Sequence, residues 1–267
     1  MDRMSRTSWK SGRLPAAARA AVLTAAMALS SLPGSAEAAG EFRVLQLNLC
    51  HSGHVSACFT GDAVVQQAIA VIQGEQPDIV SLNEVCRSDV GRLGGSTYAG
   101  WFTPARTPSG GAVKCTNGED YGIGMLHRVG LTTGASNTYA AQDGGNERRV
   151  WMCSTFQDNT AACVTHLSTS SSTAMRQCRE LLDTNMPAHT GGRATVVAGD
   201  FNLRYNRWNP FQPNVQDCVP SGFFRKGDGS VQHIMASSAH FQFIATEVID
   251  MAGTTDHPAF LVRLTRR

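Results

Sequence analysis

The chain has 267 residues, 42% of them hydrophobic and 16% charged, with a formal net charge of +2. This composition excludes a disordered chain, a coiled coil and a multi-span membrane protein. Five of the 23 basic and two of the 21 acidic residues lie in positions 1–38, which leaves 18 against 19, a net of −1, so any anion site must be local.

Residues 1–38 read as a secretory signal peptide: a basic start, an apolar run from Ala20 to Leu32, then Pro33-Gly34 and the small-residue motif Ala36-Glu37-Ala38. The run has 13 residues, short of the roughly 20 that a membrane span needs. Export, with cleavage near Ala38, and one domain over residues 39–267 are the expectation. Phe42–Leu49 alternates like a strand, Ala63–Gln73 has helical spacing, and Pro77-Asp78 opens a strand at Ile79–Asn83, so the start suggests an α/β domain. Gly94–Gly118 is rich in Gly, Ser, Thr and Pro and reads as surface loop. Strands follow at Tyr121–Leu126, Arg149–Phe156 and Ala161–Leu167, then a helix at Thr173–Asp183 and a short buried strand at Ala194–Ala198. Asn206–Gly229 reads as irregular, and His233–Ser237 and Ala259–Leu264 as strands.

All eight cysteines follow the leader, and an even count in an exported chain favours disulfides over thiols. Two strand-like runs flank Asp158-Asn159, which puts Cys153 opposite Cys163. Cys50–Cys58, Cys86–Cys115 and Cys178–Cys218 would complete four bridges. No CxxC or Cys/His cluster has zinc spacing.

Polar groups gather at the ends of these apolar strands: Asn48, Asn83-Glu84, Thr165-His166, Asp200-Phe201-Asn202, and Asp256-His257 before the last strand. Singly, each has a structural explanation as a turn residue, a solvated carboxylate or a core histidine. Together they are the ingredients of a hard-metal phosphoryl site. Glu84 and Asp256 offer oxygens suited to Mg²⁺ (or Mn²⁺ or Ca²⁺), Asn48 and Asn202 add polarity without charge, and a histidine can move a proton.

The ordered set Leu47-Asn48-Leu49, Pro77 to Val85, Tyr121 to Leu126, Arg149-Val150, Thr165-His166-Leu167, Gly199-Asp200-Phe201-Asn202 and Asp256-His257-Pro258 resembles the endonuclease/exonuclease/phosphatase superfamily of DNase I-like proteins. The resemblance implies a four-layered α/β sandwich, two mixed β-sheets face to face with helices outside, and metal-dependent cleavage of phosphoester bonds. It implies Glu84 as principal metal ligand with Asn48 and Asp256 nearby. Asp200 would orient and deprotonate the attacking water, Asn202 would hold that water or the phosphate, and His166 and His257 would bind the scissile phosphate. Arg149 would reach the phosphate, with Arg148 its alternative, since in an alternating strand only one of the two faces the cleft. Glu119 would partner the first histidine. Gln232 stands where the family has an Asp that bonds the final histidine; its carbonyl would orient the His257 ring, and Asp228 is a second candidate for that task.

Membership alone does not choose a substrate. DNA leads, with Arg204, Tyr205, Arg207 and Trp208 as contacts after the Asp200 loop, although Trp208 as a core anchor is an equal reading. A secreted sphingomyelinase acting on a lipid head group is the alternative, with Phe223-Phe224 and Phe241/Phe243 as candidate membrane contacts, although two Phe at i, i+2 also describe one buried strand face. A non-catalytic binding protein on the same scaffold is a third reading. No obligate protein partner is expected, and the chain is expected to act as a monomer.

Overall fold

The structure, a computed structural model, describes residues 40–206, 208 and 212–267; the expected signal peptide and Arg207 lie outside them. The first half runs β1 (Glu41–Asn48), α1 (Asp62–Glu75), β2 (Ile79–Cys86), α2 (Arg87–Gly94), β3 (Ala99–Pro104), β4 (Tyr121–His127), β5 (Leu131–Thr138) and β6 (Val150–Phe156). It continues with β7 (Thr160–His166), α3 (Ser171–Arg179), a π-helical stretch (Glu180–Asn185), α4 (Met186–Thr190) and β8 (Ala194–Asp200). A 3₁₀ turn (Val215–Cys218), β9 (Phe223–Gly227), β10 (Gln232–Ser237), β11 (Phe241–Ile249) and β12 (Ala259–Arg266) complete it.

The strands form two six-stranded sheets, ordered β11-β12-β1-β2-β4-β3 and β5-β6-β7-β8-β10-β9. Both are mixed, because β1–β2 and β7–β8 pair in parallel while their other neighbours are antiparallel. Strand alternation makes the layers. On β1, Phe42 and Val44 face the second sheet, whereas Leu45 and Leu47 pack outward on Val64, Val65 and Ala68 of α1. Across the sandwich, Val164, Val196 and Ile234 face inward, and Cys163, Val197 and Met235 pack outward with Ala174 of α3 and Leu181 of the π-helical stretch. This is the four-layered α/β sandwich.

The inward rows change character at one end of the molecule. Val44 gives way to Gln46 and Asn48, Ile79 to Ser81 and Asn83, Val164 to His166, and Val196 and Ala198 to Asp200. The carboxyl ends of β1, β2, β7 and β8 share that end because each pair is parallel. The antiparallel β10 and β12 bring their starts to the same place, which delivers Gln232 and the Asp256-His257 segment.

Several elements depart from expectation. The Gly94–Gly118 stretch contains β3, an edge strand whose other side has no partner among the described residues, so half-exposed residues replace the alternation that marks buried strands. The irregular Asn206–Gly229 segment contains β9, again an edge strand with partial burial throughout. The exposed edges β5 and β11 and the short helix α2 carry no strong pattern and were not anticipated. All four disulfides form as paired above: Cys50–Cys58, Cys86–Cys115, Cys153–Cys163 and Cys178–Cys218. Cys153 and Cys163 are direct cross-strand partners. No helix among the described residues is long and apolar enough to cross a membrane.

His127, at the end of β4, is buried with its ring stacked 3.5 Å from that of Phe156. Its Nδ1 accepts from the Val129 N–H at 2.8 Å. Desolvation lowers its pKa to about 4, so the unfolded chain binds a proton near pH 6.5 that the folded one refuses. Stability from this residue is therefore full above pH 6.5 and falls as pH drops toward 4. Relative to His127→Gln, the wild type should lose about 2 kcal/mol between pH 7 and pH 5; urea unfolding at both pH values measures it, and a constant difference would refute it.

Candidate active site

The second sheet's contribution begins with Gly199. A Cβ there would sit 2.1 Å from the Thr165 carbonyl oxygen, so glycine is what lets β8 close on β7 before Asp200. Asp200 is then pinned from both sides. Its backbone N–H donates to Asn83 Oδ1 at 2.8 Å, and its Oδ1 accepts the Asn202 N–H at 2.9 Å. The second bond is an Asx turn, with Asn202 at φ 49°. Its remaining oxygen, Oδ2, meets Asn48 Nδ2 at 3.2 Å and lies 3.7 Å from His257 Nε2. Asn202 is anchored through Nδ2 to the Leu167 carbonyl at 2.9 Å.

Glu84 is aimed by a bulge. The β2–β4 register shifts between Leu82 and Val85, and Glu84 adopts φ 55°. A non-glycine residue held in this region costs on the order of 1–3 kcal/mol and persists where the surroundings over-determine it. Its Oε1 accepts from Asn48 Nδ2 at 3.0 Å and lies 3.8 Å from His166 Nε2. Asn48 therefore bridges the two carboxylates. Its own oxygen takes the Cys50 N–H at 3.1 Å, which leaves that oxygen a second lone pair while Nδ2 orients Glu84 and Asp200.

Burial sets the protonation states. Desolvation raises the pKa of Glu84 against the lowering bond from Asn48 and the charge of Arg149. Asp200 is raised by desolvation too, opposed by His257 and the Asn202 and Asn48 bonds. His166 is held neutral, its pKa well below the usual value, by desolvation first and then by Arg149 and His257. Thr165 beside it is steadied by Tyr139, whose hydroxyl lies 2.6 Å from its Oγ1.

Arg149, not Arg148, enters the cleft; Arg148 instead pairs its backbone with Arg106. Arg149 Nη1 lies 3.2 Å from Glu147 Oε1. Glu147 is the residue that sequence reasoning missed, although its place two before Arg149 puts both on one face of an extended segment. Burial raises its pKa, against the charge of Arg149. Glu119 is not in the site: its carboxylate receives the Ser88 N–H at 2.8 Å and hydroxyl at 2.9 Å at the start of α2. Asp256 stands at the rim, exposed, with Oδ1 3.8 Å from His257 Nε2.

Gln232 does not meet the His257 ring. Its Nε2 donates to the Pro258 carbonyl at 2.7 Å and to Asp228 Oδ2 at 3.3 Å, while Oε1 accepts from Gln46 Nε2 at 3.3 Å. Asp228 thus reaches Gln232, and the carboxamide fixes the backbone after His257. Trp208 is 83% exposed and is no core anchor.

The donor set fits a hard divalent cation. Two buried carboxylates share one carboxamide donor, and such oxygens suit Mg²⁺ or Ca²⁺. The two tight groups of Cys, His and acidic residues among the described residues, Cys50–Cys58–Asp256 and His51–Cys86–Asp89, contain disulfide sulfurs and offer no thiolate for zinc.

The sequence profile of the Endonuclease/Exonuclease/phosphatase family matches residues 59–257. No curated protein matches the sequence. Among solved structures, an endonuclease/exonuclease/phosphatase from Beutenbergia cavernae superposes with a TM-score of 0.66 at 20% identity, covering 85% of this chain and 72% of that one. The human Nocturnin catalytic domain with bound sulfate gives 0.66 at 18% identity, covering 85% and 94%. D. rerio TDP2 with a single-strand DNA product gives 0.62 at 14% identity, covering 84% and 99%.

Two outcomes follow from this geometry. Millimolar Mg²⁺ should raise the melting temperature over that in EDTA, since a ligand bound only by the folded state stabilises it; Glu84→Gln should abolish the rise, and an unchanged rise would remove Glu84 from the metal. Gln232→Asp should lower stability by about 1–3 kcal/mol, because it deletes the donor to Pro258 and sets a carboxylate against that carbonyl. Chemical denaturation measures this, and a neutral or stabilising result would contradict the Pro258 bond.

Proposed function

Because the chain belongs to the Endonuclease/Exonuclease/phosphatase family, we propose that it is a secreted, divalent-metal-dependent phosphodiesterase acting on nucleic acid, DNA first. The observation that carries this reading is that candidate site residues line two separate clefts. One, of about 250 Å³, is lined by Glu84 and Arg149 and continues past Glu147, Tyr121 and Ser52. The other, of about 440 Å³, is lined by Asn202 and runs along Arg204 and Tyr205. A phosphodiester carries a chain on each side of phosphorus, whereas a monoester carries one. One of the similar folds holds a single-strand DNA product, which agrees with this substrate class.

Each residue then has a task. Asp200, made more basic by burial, accepts the proton of the attacking water, and Asn202 beside it orients that water. Neutral His166 donates a hydrogen bond to a non-bridging phosphate oxygen, and His257 approaches the same phosphate from the Asp200 side. Arg149 adds a fixed positive charge, held in place by Glu147. The cation, held by Glu84 with Asp256 at the rim, would supply Lewis-acid stabilisation of the charge that develops on the phosphoryl group. Asn48 keeps Glu84 and Asp200 at a fixed separation.

The membrane-lipid reading loses its contacts. Phe241 is buried between the sheets with Phe243 and Phe224 packed on the same cluster, and Phe223 packs on the cluster beneath α3. The non-catalytic reading leaves two carboxylates desolvated against their preference, one of them on a strained backbone, without a purpose. Export rests on the four disulfides, which persist in oxidising compartments.

The test is incubation of the disulfide-intact protein with supercoiled plasmid in Mg²⁺ or in EDTA, beside Asp200→Ala. Nicking in Mg²⁺ alone, reduced at least about a thousandfold in the variant, is expected for a lost general base and water ligand. No nicking by the wild type, with turnover of sphingomyelin instead, would overturn the nucleic-acid reading; equal nicking by the variant would overturn the site.

A further inference from the structure

The cleft that opens at Asn202 is built unlike an ordinary surface loop. The chain leaving the catalytic turn runs Leu203-Arg204-Tyr205-Asn206, and each step of its backbone but Tyr205 is pinned. The Leu203 carbonyl accepts from His233 Nε2 at 2.8 Å, the Arg204 carbonyl from the Val215 N–H at 3.2 Å, and the Asn206 carbonyl from Asn214 Nδ2 at 2.7 Å. The 3₁₀ turn that supplies Val215 is itself cross-linked through Cys218 to Cys178 of α3. On this pinned frame Tyr205 stands 49% exposed and lines the cleft.

One face of the Tyr205 ring is occupied. The Arg225 guanidinium of β9 lies 4.5 Å from the ring centroid. That guanidinium is held in turn, with Nη1 3.0 Å from His233 Nδ1 and Nε 3.3 Å from Gln216 Oε1. His233 therefore accepts from Arg225 with one nitrogen and donates to Leu203 with the other, which couples the ring's support to the loop that carries it. A cation backing one face of an aromatic ring orients it and costs the other face nothing. Arg225 is not among the residues lining the cleft, whereas Tyr205 and the exposed Arg204 are.

From these contacts we propose that Tyr205, backed by Arg225, is a stacking platform for an unpaired nucleobase next to the scissile phosphate, with Arg204 meeting the neighbouring backbone phosphate. The proposal deepens the nucleic-acid reading of the site and rests on it. A base stacked inside a duplex has no free face, so the platform selects a single-stranded stretch or a frayed end. A pre-ordered ring loses little freedom when it is covered, which is the condition under which stacking converts to affinity. Stacking tolerates every base, so the platform gives preference for unpaired structure without sequence preference.

The experiment uses the protein with its disulfides intact, in EDTA so that nothing is cleaved, and fluorescence anisotropy with three labelled probes. These are an oligothymidylate of about eight nucleotides, within the usual span of such sites, an abasic strand with the same phosphates, and a hairpin duplex. The wild type should bind the oligothymidylate more tightly than either of the others. Tyr205→Ala should weaken oligothymidylate binding by about tenfold and leave the abasic strand unchanged, and Tyr205→Phe should restore wild-type binding. Equal losses on oligothymidylate and abasic strand would show a structural or electrostatic role and overturn the platform. So would oligothymidylate binding that ignores Tyr205→Ala in a protein that nicks plasmid, and that result would leave the nuclease reading standing. Failure to bind any of the three probes, both by the wild type in EDTA and by Asp200→Ala in Mg²⁺, would overturn both.

Discussion

The site depends on one buried carboxamide, Asn83. Its Oδ1 accepts the Asp200 N–H at 2.8 Å and Gln46 Nε2 at 2.7 Å, and its Nδ2 donates to the Thr165 carbonyl at 2.9 Å. These bonds join β1 and β2 of one sheet to β7 and β8 of the other. Through the middle of the sandwich the two sheets meet by apolar side chains, and apolar packing is non-directional, so it tolerates small slides. A slide at the Asn83 end would strand several buried polar groups at once, each costing about 1–3 kcal/mol. Directional bonds therefore set the distance between Glu84 and His166–Asp200, the quantity that catalysis needs fixed. Gln46 and Gln232 extend the same ladder to Pro258 and so carry the constraint to His257.

This placement is held against resistance. Glu84, Asp200 and Glu147 all have pKa values raised chiefly by burial, which means each prefers to be elsewhere when ionised. Among the non-glycine residues at positive φ, Gln76 ends α1 and Asn159 turns the β6–β7 hairpin, ordinary uses of that conformation. Glu84 and Asn202 are different, because both carry site groups and neither ends a helix or turns a tight hairpin. Disulfides flank the strained region: Cys50 follows Asn48 and Cys86 follows Glu84 by two positions each, and they close loops over separations of 8 and 29 residues, to Cys58 and Cys115. Restricting the unfolded chain in this way offsets part of the cost, by about 2–4 kcal/mol per bridge on the chain-entropy view.

How much of this the sequence disclosed follows from burial. The central strands β1, β2, β4, β6, β7, β8, β10 and β12 are buried on at least one face and carry dense apolar runs, so they were legible. The edges β3, β5, β9 and β11 are half-exposed, and a half-exposed edge has no pattern that distinguishes it from loop. The site residues stood out because a polar residue closing an apolar run has to be explained. Gln46 breaks the inward row of β1 in the same way and could have been read by that rule. Glu147 had only its place two before Arg149 to mark it, since its neighbours Gly144, Gly145 and Asn146 give no periodicity. The task of Gln232 was beyond sequence, because whether a carboxamide faces a ring or a backbone carbonyl depends on a few tenths of an ångström across two sheets.

Charge finally explains why a cation belongs at this centre. The cluster sets three largely buried carboxylates, Glu84, Asp200 and Glu147, against one guanidinium, Arg149, while His166 is held neutral. An anionic diester entering such a place meets net repulsion in a medium where charges are weakly screened. With 18 basic against 19 acidic residues beyond position 38, the rest of the chain supplies no compensating field. A divalent ion on Glu84 would cancel this excess, and by linkage metal and substrate would then strengthen one another's binding by the same factor. The charge that burial concentrates here is thus the electrostatic counterpart of the proposed metal site: the carboxylates that resist ionisation in the folded chain are those that would gain most from a cation beside them.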